Sequence, residues 1–394
     1  MITVDQALAQ IDSLLPTPID EESIPLENAL HRVLREPAIS PEDQPPIDRS
    51  SIDGYHVHPD QNKGRVRLLS AHPPGQATPP LPPLGSAVRI LTGSSLPTHA
   101  VLIMQEDALL TEPGFIELLK TPTSSLVRSR GSQSKKGDTL LSPPHILQPG
   151  SISLLASIGI TQPKVSRLPR VAHLATGAEL VDPDKEPALG QIRDSNSTLI
   201  RSLLASYSAD LVWQKRVGDT RELFTQSIEQ CLNLSPDILL LSGASSVGDH
   251  DHAFSVLQEL GFNILFRTVS IRPGKPLILA QKGSTLAFGL PGNPLSHFVC
   301  FHLFVRRAIL RLLGLAPNPF LSATLLAGAP IKPDPRETWW PCHLHSSQGL
   351  LTAQPLPWRD SSDLSCLART NALLRVHPGC EARSPSEVLP TISW

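Results

Sequence analysis

Hydrophobic and polar positions change their period several times along the chain. At the start, Ala7, Leu8, Ile11, Leu14 and Leu15 recur at helical spacing behind Thr3 and Gln6, which stand in a capping-box pattern. A second short helix is expected from Pro25, with Leu26, Leu30, Val33 and Leu34 on one face. Between about 45 and 140 the pattern becomes short apolar runs separated by Pro and Gly turns: Val66–Leu69, Ala87–Leu91, Ala100–Met104 and Phe115–Leu118. That is a small β module. From 168 to 314 strand and helix patterns alternate. Val171–Ala175, Leu211–Val217, Ile238–Leu241, Ile264–Ile271, Leu277–Ala280 and Leu286–Phe288 read as strands. Helices are expected behind Ser195/Asn196, behind Thr220, over Ala253–Leu260 and over Leu295–Leu313. The unbroken apolar run Ile238–Leu241 is the mark of a strand buried on both faces. Together these elements predict a doubly wound α/β domain over 168–316, with a β domain at 317–394.

Composition sharpens this division. The 394 residues include 40 Pro, yet residues 188–272 contain only Pro236, so that window can hold regular helices and central strands. Six prolines crowd positions 73–83 and read as a stiff surface segment. Lys plus Arg number 34 and Asp plus Glu 36, a balance that gives no electrostatic case for a nucleic acid or an anionic membrane as partner. Any anion binding must be local. Five Cys without C-x-x-C spacing read as buried thiols in a reducing compartment. The N-terminus lacks a basic n-region, and the longest apolar run, around Phe298–Val305, is too short to span a bilayer. A soluble cytoplasmic protein is expected.

In an open α/β sheet, ligands bind beyond the carboxyl ends of the strands. The polar, Gly-rich segments fall there: Thr176-Gly177-Ala178-Glu179, Gly218-Asp219-Thr220, Ser242-Gly243 through Ser246, Gly248 and Asp251, Arg272-Pro273-Gly274-Lys275-Pro276, and Pro291-Gly292-Asn293-Pro294-Leu295-Ser296. Glycines let backbone N–H groups approach an oxyanion, and Arg272 and Lys275 add formal charge. Glu179, Asp219, Asp249 and Asp251 could hold a hard cation such as Mg2+. Each loop alone is weak, since Gly and Asp are ordinary turn residues; five in succession point to a phosphate and metal site. Asp249-His250-Asp251-His252 reads as a solvated loop, because neighbouring residues rarely converge on one metal. No complete phosphate-binding loop or dinucleotide fingerprint occurs. His297 and His302, among phenylalanines, read as packed or surface histidines.

Read in order, these strings resemble one family. Pro45-Pro46-Ile47-Asp48-Arg49-Ser50-Ser51-Ile52-Asp53-Gly54-Tyr55 is similar to the family's Asp-Gly-Tyr block. Thr92-Gly93, Met104-Gln105-Glu106, Thr176-Gly177 with Glu179, Ser242-Gly243, Pro273-Gly274-Lys275-Pro276 and Leu290-Pro291-Gly292-Asn293-Pro294 follow at family spacing. The chain thus resembles the molybdopterin molybdenumtransferases, which include the E domain of gephyrin, over essentially its whole length.

The resemblance implies insertion of molybdate into adenylylated molybdopterin with Mg2+-dependent release of AMP. It implies a homodimer with an intersubunit site, supplied by a molybdopterin adenylyltransferase upstream. It further implies a linker and dimer domain at 1–44 with 140–167, an Asp-Gly-Tyr domain at 45–139, a molybdopterin-binding domain at 168–316 and a barrel-like C-terminal domain. Asp53, Thr92, Glu179, Asp219 and Asp251 would be catalytic, the last three also holding the cation. Thr176, Gly177, Ser242, Gly243, Ser246, Gly248, Arg272, Lys275, Pro291, Asn293, Pro294 and Ser296 would bind substrate. The chain departs from the family at Ser132 and Gln133, where acids are usual, at Arg272 in place of Lys, and at Ala244 in place of Gly. A second reading therefore has a divergent paralogue that binds the pterin or another anion with little or no transfer, or a dimeric scaffold.

Overall fold

The expected capping box opens the first helix, Val4–Leu14, in the computed structural model: Thr3 Oγ1 accepts from the Gln6 N–H at 3.1 Å, and the Gln6 side chain accepts from Thr3 N–H at 2.9 Å. Val4, Ala7, Leu8 and Ile11 are buried on its inner face. The structure describes residues 1–15, 17–218, 220–243, 252–317 and 320–391. Asp219, Ala244, Ser246, Gly248, Asp249 and Asp251, all singled out in the sequence, lie outside the described residues.

The helix expected from Pro25 is instead a single 3-10 turn, Leu26–Asn28, followed by the strand Val33–Leu34. His31 between them takes φ 64°, a left-handed conformation that no helix continues through. Leu30 consequently points to solvent and Ala29 is buried.

The chain divides into two compact units. One comprises 1–23, 31–33 and 164–394; the other comprises 24–30 and 34–163. The stretch expected as one linker module, 1–44 with 140–167, is thus shared between them.

In the first unit a six-stranded sheet runs in the order Asp210–Val217, Arg170–Thr176, Ile238–Ser242, Thr285–Leu290, Pro276–Lys282, Asn263–Thr268. The first four strands are parallel, and the last two pair antiparallel. Pro276 therefore starts its strand beside the carboxyl end of Thr285–Leu290, which brings the 272–276 turn to the ligand edge. The central strand explains its own sequence. Ile238 and Leu240 enter one core with helices Val4–Leu14, Ser195–Ser206 and Arg306–Leu312, while Leu239 and Leu241 enter a second core with Phe224, Ile228, Val256 and Leu257. Each such side chain contributes about 1.5–3 kcal/mol by leaving water.

Helix Ser195–Ser206 is capped one residue earlier than expected. Asp194, not Ser195 or Asn196, accepts from Ser197 N–H at 2.9 Å and from the Ser197 hydroxyl at 2.5 Å. A carboxylate there also complements the positive helix end. The last helical run, Pro294–Leu312, contains one π-helical turn at Phe301–Val305.

The C-terminal strands Glu337–Ser347, Leu350–Pro355, Leu321–Leu325, Ser386–Pro390 and Ala372–Val376 close a five-stranded barrel. Its interior holds Trp340, Cys342, Leu344, Ala353, Leu374 and Val388. The two-residue strand Ile271–Arg272 pairs in parallel with Glu337–Thr338 and splices the barrel to the α/β domain.

The second unit is built on a six-stranded sheet that includes Gly54–Val57 flanked by Ser86–Ile90 and Val101–Met104. Gly54 is required by close approach: a Cβ there would lie 2.0 Å from the Ile103 carbonyl oxygen. Among the described residues no helix is long and apolar enough to cross a membrane.

Candidate active site

Two strand ends meet closely at the sheet edge. Thr176 Oγ1 donates to the Ser242 carbonyl at 3.2 Å. Gly243, at φ 81°, packs so closely that a Cβ would stand 2.6 Å from the Thr176 carbonyl oxygen. Only glycine meets both conditions.

The strand end is fixed from below by a polar relay that runs inward from the surface. Arg201 donates to Gln214 Oε1 at 2.6 Å, which turns the Gln214 amide nitrogen toward His173 Nδ1 at 2.9 Å. His173 therefore carries its proton on Nε2 and donates it to Ser242 Oγ at 2.6 Å. Burial, helped by repulsion from His297, pushes the His173 pKa down to about 3 and keeps the ring neutral. His297 is buried as well and pushed down to about 4, with its Nδ1–H donating to the Pro291 carbonyl at 3.2 Å.

Above these strand ends lies a cavity of about 770 Å³. Thr176, Gly177, Glu179, Gly243, Arg272, Lys275, Pro291, Asn293 and Ser296 all line it. Ser242 lies beneath the wall, nearly sealed from solvent at 3% exposure. Pro294 sits at the first position of the helix behind the wall, where its missing N–H costs nothing. Asn293 does not cap that helix with its side chain; its amide donates to Ser361 Oγ at 2.7 Å, and Leu295 N–H donates to the Ser361 carbonyl at 2.9 Å.

That contact introduces the wall the sequence did not reveal. Arg336, Trp340, Trp358, Arg359, Asp360 and Ser361 come from the barrel domain and line the same cavity. A signal was present in the polar run Trp358-Arg359-Asp360-Ser361 and in Arg336 before a Trp pair, but nothing local ties either to the sheet edge.

The wall carries four cations, Arg272, Lys275, Arg336 and Arg359, against the acids Glu179 and Asp360. Lys275 is exposed and makes no ion pair among the described residues. Arg272 and Arg336 are held from behind by Asp334. Its carboxylate accepts from Arg272 at 3.1 Å and from Arg336 Nε at 3.0 Å, Nη2 at 3.2 Å and backbone N–H at 2.9 Å. Burial raises the Asp334 pKa, but the Arg336 hydrogen bonds and the charges of Arg336 and Arg272 outweigh it, so the group stays ionised. Trp340 and Trp358 meet edge to face, with centroids 5.4 Å apart, and Arg272 lies 5.8 Å from the Trp358 ring centre.

Glu179 lines the cavity and is exposed. Its expected partners Asp219 and Asp251 are outside the described residues. Among those described, no three His, Cys, Asp or Glu converge. A single wall carboxylate still fits Mg2+, which usually takes one or two carboxylates together with substrate phosphate.

In the second unit the other two expected catalytic residues meet each other. Thr92 donates to Asp53 Oδ1 from its N–H at 2.6 Å and from its hydroxyl at 2.9 Å. Those two bonds hold the Asp53 carboxyl below its ordinary pKa. Gln133 donates its backbone N–H to Gln44.

Comparison with known proteins agrees across the chain. Residues 2–159 match the family model described as the MoeA N-terminal region (domain I and II), 172–311 match the probable molybdopterin binding domain, and 324–394 match the MoeA C-terminal region (domain IV). The molybdopterin molybdenumtransferase of Haemophilus influenzae is 35% identical over 319 residues, 80% of this chain and 78% of that one. The Bacillus subtilis molybdopterin molybdenumtransferase is 28% identical over 94% of this chain and 92% of its own. A solved structure of the molybdopterin biosynthesis MoeA protein from Pyrococcus horikoshii superposes with a TM-score of 0.81 at 26% identity, covering 100% of both chains. The chain belongs to the molybdopterin molybdenumtransferase family, enzymes of molybdenum cofactor biosynthesis.

Proposed function

We propose that the chain inserts molybdate into adenylylated molybdopterin and releases AMP, with Mg2+ assisting. The observation that carries this reading is the set of four cations around one cavity at the sheet edge. Fixed guanidinium and ammonium groups suit two oxyanions at once, molybdate and the adenylyl phosphate, and stabilise charge that builds on the phosphate as its bond breaks. Trp340 and Trp358 offer aromatic faces to a flat ring system. Glu179 would hold Mg2+, which when bound supplies positive charge at the departing phosphate. Lys275, free of internal ion pairs among the described residues, is the group best placed to follow the oxyanion through the reaction.

The proposal includes a homodimer in which the Asp53–Thr92 pair of one copy completes the cavity of the other. It also includes a molybdopterin adenylyltransferase as the preceding enzyme. The primary experiment incubates the protein with adenylylated molybdopterin, Mg2+ and molybdate and follows AMP. Molybdate-dependent AMP release is expected; tight pterin binding without it overturns the transfer reading. The intersubunit site is tested by mixing Asp53→Asn with Lys275→Gln protein, each strongly impaired alone. Mixed dimers should regain activity, because one of their two sites is intact.

A further inference from the structure

On the barrel strand Glu337–Ser347, Cys342 and Leu344 point into the barrel core, so the alternate residues His343 and His345 share the outer face. Their rings lie with centroids 4.2 Å apart, and His343 Nδ1 stands 3.0 Å from His345 Nε2. The pair borders a cavity of about 440 Å³, also lined by Gln354, Leu356, Arg369, Thr370 and other residues, none of which lines the anion cavity.

We propose that His343 and His345 form a bidentate site for a first-row divalent transition metal. A metal about 2.0–2.1 Å from each of two imidazole nitrogens holds them about 2.8–3.4 Å apart for ligand angles between octahedral and tetrahedral. The observed 3.0 Å lies within that span, so metal entry requires ring rotation and no movement of the strand. In the metal-free pair one facing nitrogen bears the shared proton. On coordination that proton moves to the far nitrogen of its own ring, leaving two neutral imidazoles as ligands.

Gln354 is the cross-strand partner of His343, lines the same cavity and makes no side-chain hydrogen bond among the described residues. Its carboxamide oxygen supplies a third donor. Arg369 turns its Nε–H to the Ser365 carbonyl at 3.2 Å. Among the described residues no carboxylate lines the cavity. The donor set therefore favours imidazole-seeking ions over Mg2+ or Ca2+, with Cu2+ tightest and Zn2+ weaker.

The test titrates the full chain with Cu2+, reading stoichiometry by calorimetry and nitrogen ligation by electron paramagnetic resonance. His345→Ala and the polar variant His345→Gln are run beside it, with melting curves to confirm folding. His250 and His252 in the Asp-His-Asp-His segment can also take copper, so the difference between wild type and variants is the measurement. Wild type should hold one more equivalent than either variant, with a two-nitrogen signature and at least about tenfold tighter binding for that equivalent. Excess Mg2+ should not displace it. Equal stoichiometry and identical spectra in wild type and a folded variant overturn the proposal.

Discussion

The two walls of the anion cavity are made rigid by different means. The sheet wall is backbone: Gly243 against Thr176, Pro291 and Pro294 framing a helix start, and His173 anchoring Ser242 from below. The barrel wall is side chain: Arg336 held on Asp334, which also reaches across to Arg272, together with Arg359 and two indoles. Backbone packing tolerates no added atom, whereas a side-chain clamp loses order gradually. The two walls should therefore fail differently when perturbed.

The harshest break is on the sheet wall. Gly243→Ala places a Cβ into the Thr176 carbonyl at a positive φ, which should cost about 2 kcal/mol of stability. Displacing the strand ends should lower molybdate-dependent AMP release by about a hundredfold or more, read from initial rates and melting curves together.

Lys275→Gln removes charge without touching packing. A loss of about a hundredfold in kcat with an unchanged melting temperature is expected, as for the deletion of one preorganised charge stabiliser. A loss confined to KM would move Lys275 from the reacting centre to ground-state binding.

Asp334→Asn tests the clamp. Arg272 and Arg336 keep their charge but lose their common anchor, so KM for molybdate should rise by about three- to tenfold while kcat changes little. An unchanged KM would show that the guanidiniums need no support.

The smallest effect on activity at neutral pH concerns the relay under Ser242. His173 has its folded pKa depressed to about 3 from an ordinary 6.5. Its neutral form is favoured by folding, so its contribution is full above pH 6.5 and is lost as pH falls toward 3. His297, pushed to about 4, adds a loss of the same sign. The melting temperature of wild type should fall across that window, and His173→Gln should flatten the fall while lowering stability at pH 7.

The contrast between the walls is also a contrast in legibility. The sheet wall could be read because Ile238–Leu241 declares a strand with two buried faces, and each strand end then announces itself by Gly, Pro or Asp. The barrel wall could not. Arg336, Trp358 and Ser361 reach the cavity only because Ile271–Arg272 pairs with Glu337–Thr338, a register between distant segments that leaves no local mark. Local competition hides other features. The helical spacing of Leu26, Leu30 and Val33 is overridden at His31, and the cap at Asp194 is masked in the sequence by Ser195 and Asn196, which are also good capping residues. The Asp53–Thr92 contact was foreseeable only as membership of a common module; their direct bond depends on sheet register.

One side chain gives the splice a larger meaning. Trp339 sits on a barrel strand, yet it is fully buried in the core that also holds Val4, Ile238 and Phe288. The barrel and the α/β domain therefore share hydrophobic substance, and neither can melt without stripping the other. They should denature as a single cooperative block, so cutting the chain at 317 would expose an unhealed core rather than free a lobe.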